Sequence, residues 1–144
     1  MCLMIRDKSK FEPQVAKENI VCYKLMRKGL KSFLLFGQRS YFSPIYTKKW
    51  KLNELHTSRL FSSMEDDLSW GIEPETVIIT DGLHSCQTLE GARNFLSVTT
   101  SPSKYTICRG IIPEGALYYE AGALGGPEFT SNKLILTDAG LENG

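Results

Sequence analysis

Few residues in this chain are suited to chemistry. It holds two histidines and four cysteines in 144 residues. His84-Ser85-Cys86 is the one close pairing of an imidazole with a thiol, and His56-Thr57-Ser58 sets a second histidine beside hydroxyls. Two imidazoles can act as general acid and base on a phosphodiester. His56, however, lies in a stretch that reads as helix, and the second motif ends in a thiol. Cys2, Cys22, Cys86 and Cys108 show no C-x-x-C spacing. With His84 they could assemble a zinc site, but nothing in the spacing demands one, and buried thiols are the plainer reading. No metal and no cofactor is expected.

A small ligand would find more. His84 stands just after Asp81-Gly82, and Tyr118, Tyr119, Glu120 and Glu128 follow on later segments. A ribose needs a polar group to orient it, and a flat base needs a π face. His84, Tyr118, Tyr119, Glu120 and Glu128 are therefore the candidate ligand-binding set. Adjacent strand residues face opposite ways, so only one of the two tyrosines can share a cleft with His84. The glycine-rich run 122–128 lacks phosphate-loop spacing and precedes no helix, so it reads as a hairpin loop. Tyr41, Phe42, Tyr46 and Trp50 cluster beside Lys48, Lys49 and Lys51. They could stack on bases, form a partner-binding patch, or cover the core.

These residues must be positioned by strands. Residues 2–6 read as a short strand and 7–19 as a loop or a turn of helix. The segment 20–27 puts Val21, Tyr23 and Leu25 on one face and Ile20, Cys22 and Met26 on the other, interrupted by Lys24. Covered on both sides, it reads as a central strand ended by Gly29. Residues 32–37 read as strand or extended loop. Leu52, Leu55, Leu60 and Met64 loosely fit helical spacing, predicting a short helix over 52–64. Glu65-Asp66-Asp67 and Pro74 mark a surface loop. Residues 76–80 are a strand, with Asp81-Gly82 a turn pair into 83–86. Thr88 caps a helix over 88–96, with Leu89, Ala92, Phe95 and Leu96 as its apolar stripe. Strands follow at 104–112, 116–121 and 129–137, with a tight turn at Pro113-Glu114-Gly115. The short turns imply antiparallel pairing. The expectation is an α+β fold, a curved antiparallel sheet with one or two packed helices, forming a single domain over 1–144.

Size and composition support a folded domain. A chain of this length buries roughly 70% of the surface its unfolded form exposes, so it needs no disulfides. Seventeen basic and sixteen acidic residues leave a net charge of +1. That is no field for a nucleic-acid backbone. No segment approaches the roughly 18 apolar residues of a membrane span. The N-terminus is apolar and then charged, the reverse of a secretion signal. A cytoplasmic protein with reduced cysteines is expected.

The opening MCLMIRDK, AKENIVCYKLM, SPIY followed by Trp50, GLHSC, IIPEGALYYEAG and SNKLIL resemble a family of small uncharacterised proteins from gut Bacteroidales and their phages. The resemblance spans most of the chain and is weakest over 53–81. It implies a phage or mobile-element protein and assigns no catalytic residue. GLHSC followed by helix and strand also resembles the ADP-ribosyltransferase-like and RNA phosphotransferase-like folds, where a histidine holds a ribose, an aromatic stacks on a ring and a late polar or acidic residue orients the sugar. The arginine-serine-glutamate set of that group's arginine-modifying branch is not recognisable here. The paired histidine-hydroxyl motifs are similar to those of two-histidine phosphodiesterases. A Cys2 exposed by methionine removal would match one amidotransferase class, whose glycine-rich follow-on is missing. The leading expectation is a small non-enzymatic binding protein engaging a host protein or a small nucleotide. The rival is a small ADP-ribosyltransferase-like or other nucleotide-handling enzyme.

Overall fold

The computed structural model describes residues 3–5, 8–31, 39–42, 49–65, 76–99, 101–123 and 126–143. Its strands, in chain order, are β1 (Leu3–Ile5), β2 (Gln14–Val15), β3 (Ile20–Lys31), β4 (Arg39–Phe42), β5 (Lys49–Trp50), β6 (Leu55–Thr57), β7 (Phe61–Glu65), β8 (Thr76–Asp81) and β9 (Leu83–Cys86). The helix α1 (Leu89–Val98) follows, then β10 (Tyr105–Ile112), β11 (Leu117–Ala123), β12 (Gly126–Ser131) and β13 (Lys133–Asp138). Every pair among the described strands is antiparallel. The structure is predominantly antiparallel sheet with one α-helix among the described residues. Among the described residues no helix is long and apolar enough to cross a membrane.

Among the described residues ten strands form one sheet, in the order β2-β11-β12-β9-β3-β10-β13-β6, with β4 and β5 added beside β3. The other sheet is β1-β8-β7. Strand β3 is central, as its two-sided apolar pattern predicts. It pairs with β10 along eight residues, from Ile20↔Ile112 to Arg27↔Tyr105. Its other edge is shared, by β9 at Tyr23 and by β4 from Arg27 to Lys31. Gly29 does not end the strand. It sits where the register against β4 shifts, a place glycine tolerates because it has no side chain to pack.

The alternation of β3 builds two different surfaces. Cys22 and Met26 join Trp50, Cys108, Leu134 and Leu136 in the main core. Tyr23 and Leu25 face the other way, beneath α1, with Cys86, Ala92 and Ile107. The helix forms as its sequence predicts. Thr88 accepts a hydrogen bond from the Gly91 amide (3.0 Å), and Leu89, Phe95 and Leu96 pack on the sheet. The small sheet packs on the same side of the large one, where Ile5, Val77 and Ile79 meet Tyr119 and Ala121.

Three further expectations need correction. The predicted helix over 52–64 is two strands, β6 and β7. Leu55 points to solvent and His56 inward, which is strand alternation, and Asn53 reverses the chain at φ 60°. The predicted strand 129–137 is β12 and β13, split at Asn132. The Asn132 amide donates to the Leu117 carbonyl and its side-chain oxygen accepts from the Leu117 amide (3.0 and 2.9 Å). That clamp turns the chain from one part of the sheet to another. The tight turn expected at Pro113-Glu114-Gly115 is present, closed by the Ala116 amide on the Pro113 carbonyl (3.0 Å), and it joins strands that do not pair, because β10 lies between β3 and β13 while β11 lies between β2 and β12. Asp81-Gly82 likewise joins two sheets, since β8 belongs to the small one and β9 to the large one. The expectations for 32–37 and for a loop over 66–74 lie outside the described residues.

Candidate functional site

Three neighbouring strands set the surroundings of His84. The register pairs His84 on β9 with Thr130 on β12, and Thr130 with Tyr119 on β11. The next row is Cys86, Glu128 and Ala121. Directly opposed residues of antiparallel strands share a face. His84, Tyr119 and Glu128 therefore lie on one face, between α1 at the Cys86 end and the small sheet at the Tyr119 end. Tyr118 and Glu120 lie on the opposite face. The pleat thus splits the candidate set, with one tyrosine and one glutamate on the His84 face.

Each member has a definite place. Tyr119 is buried in the contact between the two sheets, and its hydroxyl lies 3.3 Å from that of Ser62. Its ring is core and presents no open π face. Tyr118 meets the Phe129 ring edge-on at 5.6 Å and donates to the Gln14 side chain (2.9 Å). Glu120 pairs with Lys10 (3.3 Å) and accepts from the Gln87 amide (3.4 Å). Glu128 is half-buried, and burial raises its pKa above the ordinary carboxylate value against the pull of Lys24.

His84 is half-buried. Its Nδ1 is 3.1 Å from the Thr130 hydroxyl, and Thr130 is fully buried. Its Nε2 is buried without a hydrogen-bond partner. With the threonine hydroxyl as donor, the ring proton sits on Nε2 and points at nothing. Burial, helped by the Lys24 charge, depresses the imidazole pKa to about 4. At neutral pH the ring is uncharged. Gly82 lies close against Thr130: a Cβ there would stand 2.3 Å from the Thr130 methyl.

Lys24 is the residue the sequence reading passed over, having marked it only as an interruption. It is 7% exposed, on the inward face of β3. Its ammonium donates to the His84 backbone carbonyl and lies 5.5 Å from the Trp50 ring centre. The reason is topological. β9 pairs with β3 only at Cys86↔Tyr23 and then diverges. The His84 carbonyl is left beyond that contact, and the lysine reaches it. Burial pulls the Lys24 pKa down to about 8, against the opposing influence of Cys22, Cys86, Cys108 and Glu128. The sequence signal was a lone lysine between Cys22 and Met26 in an otherwise apolar alternation.

The remaining candidates do not join this site. His56 is buried, stacks on Trp50 at 4.1 Å and faces the main core. β6 lies four strand spacings from β9, about 19 Å. The two histidines cannot serve one phosphodiester. Trp50 is 1% exposed, so it is core cover and not a binding surface. Tyr41 and Phe42 lie in β4, and their side chains, like Tyr46 and Cys2, are outside the described residues. Cys22, Cys86 and Cys108 are free and buried. Burial raises their pKa values to about 11, 12 and 12, so they are protonated thiols and poor nucleophiles at neutral pH. Among the described residues no group of three or more His, Cys, Asp or Glu side chains is placed to hold a metal ion. No family model matches the chain, and no curated protein or solved structure matches it.

Proposed function

We propose that the chain is a small non-enzymatic binding protein that takes a nucleotide at His84. One observation carries this reading. A buried imidazole nitrogen without a partner costs about 1–3 kcal/mol, and His84 Nε2 is such an atom, on a face shared with Glu128. A ligand oxygen placed against Nε2 would relieve that cost. The field of Lys24, felt by both His84 and Glu128, favours an oxygen-rich, anionic ligand there. Because Nε2 is covered, binding requires the side chains above it to shift. The reading of a phage or mobile-element accessory factor of gut Bacteroidales that engages a host protein rests on the sequence resemblance alone.

The rival reading, a small ADP-ribosyltransferase-like or other nucleotide-handling enzyme, needs a histidine, a stacking tyrosine and a glutamate on one cleft. Tyr118 and Glu120 face away from His84, and Tyr119 is core. An imidazole depressed to about 4 is a weak base, and the neighbouring thiols are protonated. The binding reading is therefore preferred. Its test is thermal melting of the wild type and of His84→Leu with adenine, guanine and nicotinamide nucleotides. At least one nucleotide should raise the wild-type melting temperature and leave that of His84→Leu unmoved. If no nucleotide shifts the wild type, or the shift survives in the variant, the reading fails.

A further inference from the structure

Among the described residues, the sheet face beneath α1 is covered over only part of its breadth. Leu25 and Ile107 lie under the helix and Leu141 of the C-terminal tail. Beyond Tyr23 the next row runs through Val21, Ile111, Ile135 and Leu55. Three successive strand pairings set it: Val21↔Ile111, Ile111↔Ile135 and Ile135↔Leu55. Val21 is 51% exposed and Leu55 49%, with Ile111 and Ile135 half-buried. An antiparallel sheet facing water ordinarily turns polar side chains outward. Here four aliphatic side chains from β3, β10, β13 and β6 form an unbroken line at the surface. Such a contiguous apolar patch marks an interaction surface.

The borders of the row are charged with both signs. On one side Arg109 of β10 and Asp138 of β13 stand 3.5 Å apart, both well exposed. On the other lie exposed Lys133 of β13 and exposed Glu114, just past the end of β10. We propose that this row is the interface of a homodimer in which two copies pack sheet on sheet about a two-fold axis parallel to the strands.

The border charges are compatible with this axis, and a two-fold across the strands would instead set Arg109 against the partner's Glu114 and Asp138 against the partner's Lys133. A two-fold along the strands reverses strand order and keeps position along each strand. β10 then lies over β13 of the second copy, and β3 over its β6. Ile111 meets the partner's Ile135, and Val21 meets the partner's Leu55. Arg109 meets the partner's Asp138, and Lys133 meets the partner's Glu114. Every apolar contact is matched and every border charge finds its opposite, the self-complementarity that an isologous interface requires. A net charge of +1 leaves little repulsion between copies. Three strand spacings make the row about 14 Å wide, at the small end for a protein interface. The dimer is therefore reversible and concentration-dependent. This inference is independent of the nucleotide reading.

Sedimentation of the full chain across rising micromolar concentrations tests it. The 16.2 kDa chain should approach twice its mass as concentration rises. Val21→Lys combined with Leu55→Lys should hold it at monomer mass, with an unchanged melting curve in dilute solution. Arg109→Asp should weaken the dimer by opposing like charges. Adding Asp138→Arg to that variant should restore it. A wild type that stays monomeric, or a dimer that survives the paired lysine substitutions, overturns the proposal. A dimer indifferent to Arg109→Asp, or one that Asp138→Arg fails to restore, overturns the stated axis.

Discussion

Tyr118 and Tyr119 are neighbours in sequence with different physical roles. Tyr119 is 5% exposed between the two sheets, while Tyr118 is half-buried, with its hydroxyl on Gln14. Tyr119→Ala should cost about 3–5 kcal/mol, as truncating a large core aromatic does. Tyr118→Ala should cost about 1–2 kcal/mol, within the range of ordinary substitutions. Denaturant midpoints at constant slope measure both. Equal losses would contradict the two-faced assignment. Strand alternation made it legible that the two must diverge. It did not say which one faces inward, because that depends on where the small sheet packs.

Gly82 carries the largest single-position constraint at the level of elements. It links β8 of one sheet to β9 of the other at φ 148°. A side chain there would be strained by the backbone and would collide with Thr130. Gly82→Ala should therefore lose at least about 2 kcal/mol. Gly122 is the control, since a Cβ there meets nothing within 4 Å. Gly122→Ala should stay within about 0.5 kcal/mol of wild type. If Gly82→Ala melts like the control, the close approach to Thr130 is wrong. The C-terminal tail is a second such link. The Glu142 carboxylate accepts from the Ile107 amide and the Thr106 hydroxyl (3.0 and 2.9 Å). It thereby caps β10 on the side where β13 pairing has not yet begun.

The buried ionisable groups give the whole molecule a characteristic pH profile. His84 falls from an ordinary 6.5 to about 4, so below 6.5 the unfolded chain binds a proton that the folded chain refuses. Stability from His84 should fall as pH drops from 6.5 towards 4, partly offset by Glu128, whose raised pKa favours the folded chain at the acid end. Lys24 falls from 10.5 to about 8, so from pH 8 upward the folded chain sheds a proton first and stability rises. The three thiols rise from 9 to about 11 or 12, so above pH 9 the unfolded chain sheds theirs first. Three thiols outweigh one amine, and stability should turn down above 9. Melting temperature followed from pH 4 to pH 10 should show the acid loss and a maximum near 9. Lys24→Met should remove the rise between 8 and 9 and leave the downturn. A profile flat from 4 to 6.5, or a rise that persists in Lys24→Met, would contradict these assignments.

The local features of the chain were written in its sequence. The Thr88 cap and the stripe of Leu89, Ala92 and Phe95 specify α1, and the alternation of 20–27 and 104–112 specifies central strands. These are periodicities and hydrogen bonds within a few residues, which a single segment satisfies by itself. The stretch 52–64 misled because its leucines fit no period well, and His56 turned out to be the buried member. The neighbours of each strand were not legible, because a ladder accepts any partner whose buried face matches. Only the tertiary structure decided that the 129–137 segment breaks at Asn132 and that β10 and β11 part company after their tight turn. Burial of Lys24 and the unpartnered nitrogen of His84 are consequences of β9 diverging from β3. The row Val21, Ile111, Ile135 and Leu55 joins residues from four distant segments. No local pattern encodes such a line, since it exists only once register has aligned the strands.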